Sequence, residues 1–144
     1  MNDEQLFDTN ILVHAYTLSD TRKHRIAEEL VGQVWTGGLG FTCLHNLCEF
    51  VVVVTRKVVH PIPLKDAEVI LVDILRSTHW KVIDHGRETV KKAIELGKFH
   101  KVPFWDALIA ACMLENNLTT ILTENERDFK RVPNFVIVNP FKKS

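Results

Sequence analysis

The sequence predicts an α/β sandwich with a central, mostly parallel β-sheet flanked by helices. Three observations predict it. Short apolar or β-branched runs alternate with segments of helical apolar spacing along the chain, the pattern of strands joined by crossover helices. The 144 residues show no internal repeat, linker or low-complexity tract, and this length suits one domain, 1–144, with a substantial core. Acids recur where the strands end or the helices begin, the side of an open α/β sheet where ligands bind.

Taken in order, Leu6-Phe7 leads into Asp8, and Thr9-Asn10 turns the chain before Ile11-Leu12-Val13. This reads as a short buried strand ending at Asp8, then a helix to Tyr16. Ser19-Asp20-Thr21 stops that helix and caps another over 22–34, with Ile26, Ala27, Leu30, Val31 and Val34 at helical spacing. Gly37-Gly38-Leu39-Gly40 breaks it, and Phe41-Thr42-Cys43-Leu44 suits a second strand.

Segment 45–57 is ambiguous. Its four consecutive valines favour a strand, whereas His45, Glu49 and Arg56 fall four and seven apart, on one helical face. We assign a helix. His60-Pro61-Ile62-Pro63 cannot be helical. Helical spacing returns over 64–77, and Trp80 to Asp84 alternates as a half-exposed strand. A helix over 86–98 turns Val90, Ala93 and Ile94 inward, with Leu96 a further candidate. Pro103 starts a helix over 104–117 that is apolar nearly all round, as expected of one buried on several sides. Thr119 to Thr123 reads as a strand, 124–131 as a charged loop, and Phe135 to Val138 as the last strand, closed by Asn139-Pro140.

Composition narrows the function classes. Hydrophobic residues make up 46% and charged residues 25%, as in soluble globular proteins. The formal net charge is zero, so any hold on nucleic acid must come from local basic clusters. Cys43, Cys48 and Cys112 are odd in number and lack a CxxC spacing, which argues against a disulfide framework and a structural zinc site. All three are expected to be small buried residues in a reducing compartment. Met1 to Gln5 is polar and acidic, unlike a secretory signal, and no run approaches the roughly 18 apolar residues of a membrane span. The expected location is the cytoplasm.

Four acids stand out. Asp8 ends the first strand, Glu49 sits within apolar Leu47-Cys48-Glu49-Phe50-Val51, Asp106 opens the most apolar helix, and Asp128 follows the strand ending at Leu122 with Glu124 and Glu126 close by. Each has a plain structural explanation. Asp8 or Asn10 caps a helix, Glu49 pairs with His45 one turn earlier, Asp106 suits a helix N-terminus, and the rest form a solvated loop. Together, in a parallel sheet, the four share one end. Clustered like charges repel and raise one another's pKa, and a cation relieves that. Oxygen-only ligands favour Mg²⁺ or Mn²⁺ over zinc. Such ions activate water and stabilise the leaving oxygen of a phosphodiester.

At these positions the chain resembles PIN-domain proteins of the VapC toxin type. The resemblance is carried by Phe7-Asp8-Thr9-Asn10-Ile11-Leu12, His45-Asn46-Leu47-Cys48-Glu49-Phe50, Pro103-Phe104-Trp105-Asp106-Ala107-Leu108-Ile109-Ala110-Ala111 and Leu122-Thr123-Glu124-Asn125-Glu126-Arg127-Asp128-Phe129, in this order over almost the whole chain. One such motif is weak and the ordered set is specific. It implies a three-layer α/β sandwich, an RNA substrate, and Mg²⁺ or Mn²⁺ held by Asp8, Glu49 and Asp106. Asp128 matches a fourth, more variable acid, which Glu124 or Glu126 could replace. Asn10, Thr123 and Asn125 match polar residues that support the site. It also implies a homodimer and a cognate antitoxin that covers the acidic groove. The polar start, Asn2 to Gln5, departs from the pattern and implies a short first strand.

The expected activity is therefore RNA hydrolysis, by a toxin or by a housekeeping RNA-processing nuclease. Arg56, Arg127, Lys130 and Arg131 are the candidate RNA contacts, with Lys57 and 98–101 as further basic stretches. Solvated helix faces explain Lys91-Lys92 and Lys142-Lys143 better. Aspartyl-phosphate chemistry would need a second acid two residues after Asp8, where the chain has Asn10. A silent module that only binds RNA or protein is the remaining rival, and it has no reason to bind Mn²⁺.

Overall fold

Leu6 and Phe7 form the middle strand of the sheet, and their side chains leave on opposite faces. The structure, a computed structural model, describes residues 4–143, so Asn2 and Asp3 of the polar start lie outside the described residues. Its strands are β1 (Leu6–Phe7), β2 (Gly40–Cys43), β3 (Trp80–Ile83), β4 (Thr120–Leu122) and β5 (Val136–Val138). The helices are α1 (Thr9–Tyr16), α2 (Thr21–Trp35), α3 (Leu44–Arg56), α4 (Leu64–Arg76), α5 (Arg87–His100), α6 (Phe104–Glu115) and α7 (Glu126–Phe129).

The strands lie in the order β3-β2-β1-β4-β5, and every pairing is parallel. Leu6 is in register with Phe41 on one side and Ile121 on the other. The chain leaves β1 toward β2 and later returns to β1's other side as β4. The end of β1 is thus a topological switch point, where an open α/β sheet forms a crevice.

Two cores make the sandwich three-layered. Phe7 packs with Ile11, Leu12, Val31, Leu47, Phe50 and Ile74 under α1 to α4, and its ring meets Trp80 edge-on at 5.1 Å. Leu6 packs on the other face with Ile109, Cys112, Met113, Ile121 and Phe129 under α6 and α7. A third cluster joins α5 to α6 through Ala93, Leu96, Ala107 and Ala111. Gly40 is required where β2 passes Trp80, because a Cβ there would lie 2.7 Å from the indole ring.

Helix wins over strand in 45–57 because Leu47, Phe50 and Val54, at helical spacing, are all fully buried. The structure corrects the sequence reading in four places. Cys48 is exposed rather than buried, since it sits on the α3 face opposite those three residues. Ile94 is exposed, and Leu96 takes the inward position. The charged loop 124–131 contains α7, where buried Phe129 anchors a turn closed by Lys130 N–H on Glu126 C=O at 3.0 Å. Phe104 and Trp105, at the start of α6, are exposed, and the helix is buried only from Ala107 onward.

Among the described residues, no helix is long and apolar enough to cross a membrane.

Candidate metal and active site

Asp8 sits between β1 and α1 in an extended conformation, so its carboxylate both caps the helix and projects from the end of the sheet. It is buried and accepts four hydrogen bonds. Oδ1 takes Thr9 N–H at 2.8 Å and Asn46 Nδ2 at 3.1 Å, and Oδ2 takes Thr123 Oγ1 at 2.7 Å and Asn10 Nδ2 at 3.3 Å. The Asn10 bond is long and shared with Thr123 Oγ1, so Oδ2 keeps acceptor capacity. The capping explanation of Asp8 thus holds, and the cap leaves the carboxylate at the end of the sheet.

Glu49 reaches the same place from the middle of α3, where Thr9 Oγ1 donates to its Oε1 at 2.9 Å. Asp106 comes from the first turn of α6 and accepts from Asn125 Nδ2 at 3.1 Å. The three acids line one open cleft of about 290 Å³ with Asn10, His14 and Asn125. Asp128 does not line it, but it is near enough for its charge to raise the pKa of Asp106. A larger hollow of about 560 Å³ lies by Tyr16, Trp35, Asp73 and His79, next to the chain leading into β2 and β3 and away from the strands' C-terminal ends.

Glu124 and Glu126 point elsewhere. Glu124 is bound by His14 Nε2 and by Lys23 Nζ at 3.0 Å. Glu126 is bound by Asn139 Nδ2 at 3.1 Å and Lys142 Nζ at 3.4 Å, with Lys130 Nζ at 3.9 Å. Both are neutralised. By contrast, among the described residues no lysine or arginine pairs with Asp8, Glu49 or Asp106.

The electrostatics follow. Burial, assisted by the charge of Glu49, pushes the Asp8 carboxyl above its usual range, although hydrogen bonds from Thr123, Thr9 and Asn10 pull it down. Burial first, then the charges of Asp8 and Asp128, raise Asp106 to about 7. A divalent cation would relieve this unpaired negative charge, and the donor set is hard oxygen. The acids do not close into a cage: among the described residues no three His, Cys, Asp or Glu side chains already form a metal-holding group. An open arrangement suits Mg²⁺, which keeps several waters and takes one or two carboxylates.

Of the basic candidates, Arg127 is solvent-exposed, with Nε 3.6 Å from Asp128. Arg131 donates to the Lys101 carbonyl at 2.8 Å, a bond that ties 131 to the end of α5. Arg56 is exposed at the C-terminal end of α3. Sequence reasoning gave no role to Thr9 or Asn46. Asn46 is fully buried, accepts from Cys43 N–H at 3.0 Å, and donates to Asp8 and Thr9. Its signal was an amide between a strand end and an acid one turn later.

The PIN domain family matches residues 6–134. A comparison with curated protein sequences finds no match. Among solved structures, the chain is similar to a toxin-antitoxin complex from Klebsiella pneumoniae, at 22% identity and TM-score 0.67, covering 94% of this chain and 97% of that one. VapC20 of Mycobacterium tuberculosis, a sarcin-ricin loop cleaving toxin, is similar at 21% identity and TM-score 0.68, covering 87% and 92%. VapBC2 of Rickettsia felis, bound to a DNA fragment from its promoter, is similar at 21% identity and TM-score 0.64, covering 94% and 98%. At these identities the likeness carries the fold.

Proposed function

The chain belongs to the PIN-domain family, and from that premise we propose that 1–144 is one nuclease domain, an Mg²⁺- or Mn²⁺-dependent endoribonuclease acting as the toxin of a VapBC-type pair. The observation that carries the reading is the set of acids, Asp8, Glu49 and Asp106, that line one cleft at the end of β1 and have no lysine or arginine partner among the described residues.

In this reading Asp8 and Asp106 hold the ion, Glu49 ligates it directly or through water, and Asp128 completes the shell through Asp106. When bound, the ion lowers the pKa of water and offsets charge on the leaving oxygen of the phosphodiester. The chain's own groups do the rest. Thr9, Asn46, Thr123 and Asn10 hold the Asp8 carboxylate in place. Asn125 holds Asp106, and Thr9 ties Glu49 to the end of β1. Arg56, Arg127 and Lys130 supply backbone contacts to RNA, which position it without reading its sequence.

A protein antitoxin and a homodimer belong to the same proposal. The similar structures include a toxin-antitoxin complex and a VapBC pair. Leu64, Val69 and Leu75 are exposed on α4, so the core does not account for these apolar residues and an interface would. The site of action in this reading is the cytoplasm.

Purified protein given end-labelled RNA should cleave it with Mg²⁺ or Mn²⁺ and stop when EDTA is added. Asp8→Asn and Asp106→Asn should abolish cleavage. Wild-type cleavage by purified Asp8→Asn overturns the reading.

A further inference from the structure

We propose that His45 and Trp105 form a stacking platform for an unpaired nucleobase beside the acidic cleft. The inference rests on the RNA reading above and adds how the substrate is gripped. Trp105 is 59% exposed and Phe104 42% exposed, although the helix they open is buried from Ala107 to Met113. The Trp105 indole lies parallel to the His45 imidazole, with centroids 4.8 Å apart and planes within 5°. Phe104 meets the same indole edge-on at 5.1 Å. The core makes no use of this aromatic group, yet its geometry is well defined.

Its position links it to the chemistry. His45 lies one helical turn before Glu49, with Nε2 3.4 Å from Glu49 Oε1. Trp105 immediately precedes Asp106. The two helices that bring these acids to the cleft therefore bring the two rings with them. Neither ring lines the cleft itself, and the contact of His45 with Glu49 sets the pair beside it.

Charge favours a base as the occupant. The chain has no net charge and the cleft is acidic, so phosphate contacts alone give little affinity. Stacking on an exposed indole adds affinity without charge and tolerates any base, because every base has a π face. A base can stack this way only when it is unpaired, so the substrate class is single-stranded or looped RNA.

The test uses the intrinsic fluorescence of the full chain. Trp80 is buried and Trp35 partly buried, so Trp105 is the most exposed indole, and the Trp105 variants below separate its signal from that of Trp35. The probes are a short single-stranded 2′-O-methyl RNA, an abasic oligomer of the same length and charge, and a duplex, each titrated with Mg²⁺ and with EDTA. The base-bearing strand should quench fluorescence in Mg²⁺ and bind roughly tenfold tighter than the abasic strand or the duplex. Trp105→Ala should erase that advantage, Trp105→Phe should keep most of it, and His45→Ala, which removes the support beneath the indole, should lose part of it. In cleavage assays Trp105→Ala should raise KM more than it lowers kcat. Equal binding of base-bearing and abasic strands, or unchanged RNA affinity in Trp105→Ala, overturns the platform; the second result would leave these rings to a protein partner. Base-dependent binding without cleavage would sink the nuclease reading and keep the platform, and cleavage with unaltered KM in Trp105→Ala would do the reverse.

Discussion

Asn46 Nδ2 donates to Asp8 Oδ1 across 3.1 Å and joins residues 38 positions apart in the chain. The same side chain accepts from Cys43 N–H at the start of α3, so one buried amide sets both the helix entry and the carboxylate. Asn46→Ala should therefore destabilise the protein by roughly 2 kcal/mol or more, because it strands a buried donor and loosens a buried carboxylate. Urea denaturation with an unchanged m-value checks this. Asn46→Asp should lose more, since a second carboxylate would then face Asp8.

Removing charge from the cleft should have the opposite effect on the ion-free fold. Asp8→Asn or Asp106→Asn should leave the fold intact or slightly more stable, as repulsion between the acids falls. Mn²⁺ should raise the melting temperature of the wild type by mass action and leave that of Asp8→Asn unmoved. Thermal melts with and without the ion measure both. An equal Mn²⁺ effect on the two proteins would move the ion to another site.

The ion-free protein should lose stability as pH rises from about 4 to 7. Burial and the neighbouring acids push Asp106 up to about 7 in the folded chain against an ordinary aspartate value of 3.8, so the folded state binds more protons across this window. With the native state holding the extra proton, the stability-pH slope is negative. The raised Asp8 carboxyl acts in the same direction. Asp106→Asn should flatten the curve, as read by urea midpoints at successive pH values.

A thiol reagent should modify Cys48 quickly and the other two cysteines only on unfolding. Cys48 is exposed while Cys43 and Cys112 are buried. One equivalent released promptly and two after denaturant is the expected count. Three fast equivalents would contradict the packing of Leu6 with Cys43 and Cys112.

Phe129→Ala should unfold α7 and cost about 3–5 kcal/mol, the usual range for a fully buried aromatic ring. If Asp128 contributes through Asp106, this variant should also lower cleavage more than its loss of folded fraction explains. Chemical denaturation and initial rates on the same preparation separate the two effects.

The fold was legible in the sequence wherever burial imposes a period. His45, Glu49 and Arg56, four and seven positions apart, resolved the ambiguous valine-rich segment as a helix, and Leu47, Phe50 and Val54 are the residues it buries. Asp8, Glu49 and Asp106 were legible as acids that the topology of a parallel sheet would gather. The reading failed where apolar character and burial part company, at Cys48, Ile94, Phe104 and Trp105. Composition records that these residues are apolar or small and is silent on which face of a helix finds a partner.

Local spacing, then, determined the alternation of strands and helices, the order of the acids and the hard-oxygen character of the cleft, since each depends on neighbours within a few turns. The tertiary structure decided which acids remain unpaired. Lys23 and Lys142 reach Glu124 and Glu126 across 101 and 16 positions, and among the described residues no lysine or arginine pairs with Asp8 or Asp106. Such pairings depend on distances in space, which are set only when the sheet closes around β1.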